Sequence, residues 1–108
     1  EPSGIIVDSP MKLVFDIMPV PSREVSTVAL KDAEKACVSL GLTTVNDAGL
    51  DRDIIELIES LQQTGDMKLR VYAMLSNGEE NLNHFLNKGI VKTERLNVRS
   101  VKISGDAL

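Results

Sequence analysis

Few residues of this 108-residue sequence are of types that do chemistry, and they are scattered along it. Lys102 sits in "VRSVKISGDAL" (98–108), where the period-two alternation of a strand places Val98, Ser100, Lys102 and Ser104 on one face and Arg99, Val101 and Ile103 on the other. A lysine at a strand end is a solvated cation or an ion-pair partner unless a site makes use of it. Asn46 and Asp47 close the run "LTTVND" just before Gly49. They either face a ligand from a strand end or form a turn that caps the next helix. Asp106 follows Lys102 by four residues. His84, the single histidine, falls in a surface-helix pattern and reads as a solvated side chain. Cys37, the single cysteine, lies on an apolar helical face and reads as a small core residue, unable to make an internal disulfide or a cysteine metal cage. Met11, Met18, Met67 and Met74 share no spacing and read as gap fillers.

Several constellations are missing. There is no Gly-x-Gly-x-x-Gly turn, Walker-type phosphate loop, Gly-x-Ser-x-Gly elbow, His-Glu-x-x-His helix or cysteine pair. Twelve basic and sixteen acidic side chains give a net charge of −4 with no basic cluster or set of stacking aromatics, so nucleic acid is not an expected partner. No run approaches the ~18–20 apolar residues that span a bilayer, and the N-terminal residues lack the layout of a secretory signal, so no membrane partner is expected. The lone cysteine is compatible with a reducing compartment, and a cytoplasmic location is the expectation.

The elements that must position these residues alternate in period. "SREVSTVALKDAEKACVSLG" places Val25, Val28, Ala29, Ala33, Ala36, Cys37 and Leu40 on one helical face, with Ser22 as N-cap and Gly41 just past the C-terminus. A strand over 42–47 follows. "DRDIIELIESLQQTG" predicts a helix capped by Asp51, with an acidic first turn, a stripe of Ile54, Ile55, Leu57, Ile58 and Leu61, and a stop at Gly65. "MKLRVYAML" (67–75) is a strand. "SNGEENLNHFLNKG" is a helix with Leu82, Phe85 and Leu86 at helical spacing, and 98–103 is the last strand. The order, βαβαβ preceded by a helix, predicts an α/β domain with about three parallel strands joined by right-handed crossovers over residues 22–108. Residues 1–21, punctuated by Gly4, Pro10, Pro19 and Pro21, read as an irregular arm in which "MKLVFDIM" has the spacing for two helical turns with Leu13, Val14 and Ile17 inward.

The order of five segments is more specific than any one of them. "EPSGIIVDSPMKLV", "PVPS", "GLTTVNDAG", "LRVYAML" and "VKISGDAL" together resemble amidohydrolase family 3 of the amidohydrolase superfamily, along essentially the whole chain. The resemblance implies a metal-dependent hydrolase built on a TIM (β/α) barrel, of which this chain is a partial section, since a complete barrel takes about 250 residues. It gives Lys102 the role of a metal ligand, carboxylated to a carbamate that bridges divalent metals, with zinc the expected ion. It makes Asn46 and Asp106 substrate-binding positions, although "DAL" at 106–108 lacks the glycine of the family's Asp-Gly-Ala-Leu turn. Family histidines have no counterpart here.

The implied activity is hydrolysis of the C–N bond of a small amide-like substrate by metal-activated water, with this chain inactive alone. The alternative is a non-catalytic α/β interaction or structural module. Both ends of the sequence read as cut. A cut barrel leaves open strand edges and uncovered apolar residues, which predicts a homo-oligomer or a domain-swapped assembly.

Overall fold

A computed structural model describes residues 2–105. A short helix, α1 (Met11–Phe15), lies in the N-terminal arm, and all the arm's described side chains are exposed, including Leu13 and Ile17, which the spacing placed inward. The elements that follow are α2 (Arg23–Ser39), β1 (Thr44–Leu50), α3 (Arg52–Gln63), β2 (Arg70–Ser76), α4 (Glu79–Lys88), β3 (Val91–Lys92) and β4 (Leu96–Lys102). The strands form an open four-stranded sheet in the order β1-β2-β4-β3. β1, β2 and β4 are parallel, and β3 pairs antiparallel with β4.

The helix ends show why the segments begin and stop where they do. Ser22 Oγ accepts the Val25 N–H at 3.2 Å, capping α2 as its residue type predicts. Gly41 takes φ +80°, and the Gly41 and Leu42 N–H groups donate to Val38 O and Cys37 O, the two bonds of a Schellman stop. Asp51 has extended backbone at the N-cap of α3, yet its side chain does not cap. The Arg52 N–H instead donates to Asn81 Oδ1 at 2.9 Å, from a residue in the first turn of α4.

The core lies on one face of the sheet. Ile55, Leu57, Ile58 and Leu61 of α3 and Phe85 of α4 pack on Val71, Ala73 and Leu75 of β2 and on Leu96 and Val98 of β4. Ala73, at 0% exposure, sits at the middle of the central strand, where a small side chain lets the helix layer approach. Burying a branched aliphatic side chain here stabilises the fold by about 1.5–3 kcal/mol. Among the described residues, no helix contributes to the core on the second face of the sheet.

Three local departures from the sequence pattern change which face a residue occupies. β1 does not turn at Asn46–Asp47 but runs on to Leu50, because Asn46, Asp47 and Ala48 find ladder partners in Tyr72, Ala73 and Met74. Gly49, at φ +114°, absorbs a register shift between Ala48 and Leu50. In β4 a second shift leaves Arg99 without a partner between the pairs Ala73–Val98 and Met74–Ser100. Val98 therefore joins the buried face, while Ser100 and Lys102 keep the opposite one. Period-two counting assigns all three to one face because it cannot register a bulge. Third, α2 is turned about its axis relative to its apolar stripe. Ser26, Thr27, Leu30, Glu34 and Cys37 face the rest of the fold and are half-buried, and Val25, Val28, Ala29, Ala33, Ala36 and Leu40 are exposed. Polar anchors set this orientation. Glu34 accepts the N–H groups of Lys68 and Leu69 at 2.9 and 3.1 Å, and Arg23 donates to Ser60 Oγ at 3.0 Å.

Candidate functional site

The exposed face of the sheet carries Asn46 and Lys102, two of the polar residues that the sequence singles out, while Asp47, paired with Ala73, is on the core face. The rows of the exposed face run across the three parallel strands: Asn46, Tyr72 and Asn97; then Ala48, Met74 and Ser100; then Ser76 and Lys102 at the C-terminal end. Tyr72 and Ser100 hydroxyls lie 3.0 Å apart in a hydrogen bond that either can donate. Arg99, pushed out at the bulge, donates through Nε to Asn97 Oδ1 at 3.0 Å. Lys102 is exposed and takes part in no ion pair among the described residues.

Lys102 and Asn46 share this face but are not neighbours. The row of Asn46 meets Tyr72 and that of Lys102 meets Ser76, four residues along β2, which is about 13 Å at the rise of a parallel strand. Asn46 is in mid-strand because β1 continues past it, so neither strand closure nor a capping turn describes its place. Asp106 lies outside the described residues.

Beside the C-terminal ends of β1 and β2, a polar cluster joins two strands to two helices. Asn81, only 4% exposed, uses Oδ1 to accept the Arg52 N–H, and its Nδ2 faces Asp51 Oδ1 at 3.0 Å, Ser76 Oγ at 2.6 Å and Ser76 O at 3.2 Å. The Ser76 hydroxyl donates to Asp51 Oδ1. An open depression of about 670 Å³ adjoins the cluster, with Asp51, Asp53, Glu56, Glu79 and Glu80 around it and Arg52 as the one cation among the described residues that line it. Acidic side chains in the first turns of α3 and α4 complement the helix dipoles there. Arg52 Nε donates to Glu56 Oε1 at 2.9 Å and holds that carboxyl below its ordinary value. The acidic first turn of α3 is legible in the sequence. Its meeting with the first turn of α4, and with Asn81 from 30 residues beyond Asp51, depends on the crossover.

His84 is not the solvated residue its helical position suggests. Its ring packs edge-on against Phe85 at 4.9 Å between centroids, and its Nε2 is buried 3.8 Å from Glu56 Oε1, too long for a hydrogen bond. It belongs to the helix layer, across the sheet from Lys102. Cys37 is half-buried against the core, as expected.

As a prospective metal centre the described residues are an incomplete donor set. No group of three His, Cys, Asp or Glu side chains among them is placed to hold an ion. On the face of Lys102 the nearest side chains by register are those of Ser76 and Ser100, which are neutral hydroxyls. A carbamate at Lys102 would be a single ligand, and no catalytic step through a metal follows from these residues alone. No helix of the described residues is long and apolar enough to cross a membrane. No family model, characterised protein sequence or solved structure matches this chain.

Proposed function

We propose that the chain is a section of a (β/α) barrel in a metal-dependent amidohydrolase, and that Lys102 stands where a barrel enzyme does its chemistry. The observation that carries this reading is the single direction of winding. β1, β2 and β4 follow one another across the sheet in chain order, with all the helices that join them packed in one layer. A doubly wound sheet reverses its strand order and covers both faces, whereas a barrel progresses one way and turns its uncovered face inward. On that reading the face of Asn46, Tyr72, Ser100 and Lys102 lines the barrel, and Lys102 is at the C-terminal mouth.

The chemistry asked of Lys102 runs through its neutral amine. The ammonium gives one proton to water, the lone pair of the resulting amine adds to carbon dioxide, and a second N–H proton leaves to water, so that a cation becomes a carbamate anion. A divalent ion, zinc first among the candidates, supplies the activation of water towards an amide-like carbon when bound. The remaining ligands and the catalytic acid or base are assigned to residues outside this chain, and Asn46, in mid-strand, is left with at most a contact to the deep end of a substrate. Asp106 is proposed to contact substrate, on the resemblance alone.

A longer polypeptide containing these residues, assayed against a library of amide-like substrates, tests the reading. Lys102→Ala is expected to lower turnover by more than the roughly 100-fold typical of residues that only support metal ligands, and a chelator is expected to abolish it. Turnover indifferent to both overturns the proposal. The second reading, a non-catalytic interaction module, is favoured by one observation, the exposed apolar stripe of α2. It expects no metal-dependent turnover.

A further inference from the structure

His84 is the one histidine of the sequence, and the chemistry proposed for Lys102 makes no use of it. Its side chain is 24% exposed, and its Nε2 is an enclosed polar atom with no hydrogen-bond partner among the described residues. Leaving such an atom unpaired is costly. The ring is fixed by its edge-on contact with Phe85, itself part of the core. From α3, Glu56 Oε1 stands 3.8 Å from Nε2, about 1 Å beyond an ordinary hydrogen bond. Glu56 has room for a further bond. Arg52 Nε donates to the same oxygen at 2.9 Å, and a carboxylate accepts about four such bonds, so Arg52 need not let go. The Arg52 hydrogen bond above all, and then the charges of Arg52, His84 and Lys88, hold the Glu56 carboxyl below its ordinary value against the effect of burial. Glu56 is therefore an anion throughout the range of about pH 5 to 8 in which imidazoles change charge. Other charged groups stand nearby on α4. By helical spacing Glu80 lies one turn before His84 and Lys88 one turn after it, the first favouring a charged ring and the second opposing it.

We propose that His84 and Glu56 form a proton-operated clasp between α4 and α3. When the ring takes up a proton, Nε2–H donates to Glu56 in a charge-assisted bond, across a gap that the half-exposed carboxylate closes by a small side-chain rotation. A neutral ring with its proton on Nε2 can donate too, but a bond to an ionised donor is about twice as strong as a neutral one. The place of the clasp gives it leverage. Asn81 and Phe85 are the buried residues of α4, and Leu86, Asn87 and Lys88 beyond them are exposed, so the half of the helix after His84 has little else to hold it. Because the clasp exists only in the folded chain, folding favours the protonated ring. Its contribution is full at acid pH and is lost as pH rises past the point at which the folded ring gives up its proton. The clasp is independent of the proposed enzymatic role.

Urea unfolding of the 108-residue chain and of His84→Gln, compared across about pH 5 to 8, tests the clasp. The readout is the pH dependence of the difference, which a merely structural role for the ring would not move. The ratio of the two folding equilibrium constants is expected to shift about fivefold in favour of the parent chain on going to acid pH, the upper end for a partly exposed ion pair. A second measurement uses the single histidine, whose ring gives one imidazole signal to follow by proton NMR. Glu56→Gln, which removes the anion, is expected to move that titration to lower pH. Arg52→Gln, which removes the competing cation, is expected to move it to higher pH. A stability ratio independent of pH overturns the proposal. So does a titration that Glu56→Gln leaves unmoved, or one that the two substitutions move in the same direction.

Discussion

Asn81 ties together more of this molecule than any other single side chain. It is the buried polar residue of the core face's rim, it supplies the cap that Asp51 does not, and it bridges the ends of β1 and β2. Replacing it with alanine leaves the Arg52 N–H, the Asp51 carboxylate and the Ser76 hydroxyl each short of a partner. Removing one partner of a buried hydrogen bond costs about 1–3 kcal/mol, so Asn81→Ala is expected to lower the stability of the chain by about 2 kcal/mol, read from the urea midpoint. An Asn81→Ala chain as stable as the parent would show that water replaces the amide fully. Lys102 is the contrasting case. It is exposed and takes part in no ion pair among the described residues, and the test of its proposed role is activity.

At the scale of elements, α3 is the keystone because both neighbouring helices and the sheet pack on it. Four of its side chains are buried, and Gln62 near its end donates to Leu69 O and Arg95 O at 3.1 and 3.0 Å, fixing the starts of β2 and β4. Ile58→Ala in this helix is expected to cost about 2–5 kcal/mol, the range for truncating a buried aliphatic. Leu86→Ala in α4 is expected to stay within about 0.5 kcal/mol. Helical spacing groups Leu86 with Phe85 and Leu82, but Leu86 is 77% exposed where Phe85 is 6%. Paired thermal or urea unfolding of the two variants separates the stripe predicted by spacing from the one that packs. Equal losses would place Leu86 in the core.

The whole molecule divides into a packed α/β layer and an extended N-terminal arm. Its radius of gyration, 15.8 Å, exceeds the ~13 Å expected of a compact chain of this length. The arm's described side chains are exposed throughout, and the bonds of α1 are those of a single short helix with a Lys12–Asp16 ion pair, itself exposed. Isolated helices of this length are marginal in water. Hydrogen exchange is therefore expected to be fast across the arm's amides and slowest at Val71, Ala73, Leu75 and Val98, whose strands lie beneath α3 and α4. Arm amides protected as strongly as those of β2 would contradict this division.

The sequence by itself determined the succession of elements, because helical and strand periods, the Ser22 cap and the Gly41 stop are local signals that neighbouring residues enforce. It determined the α3 stripe for the same reason: four of its five predicted side chains are buried, and Ile54 is half-buried. Only the tertiary structure decided the extent of β1, since the ladder with β2 outweighs the turn preference of Asn46–Asp47. It also decided the short β3, whose pairing with β4 supplies partners that two residues could not provide alone. The bulge at Arg99 parts Val98 from Ser100 and Lys102, a change that no periodicity contains. For the candidate site, the sequence singled out Lys102 and Asn46 separately, and only the sheet puts them on one face, in rows about 13 Å apart along the strand direction. Asn81 was invisible beforehand because its partners come from 29 and 30 residues away, brought to it by a crossover whose packing only the folded chain supplies.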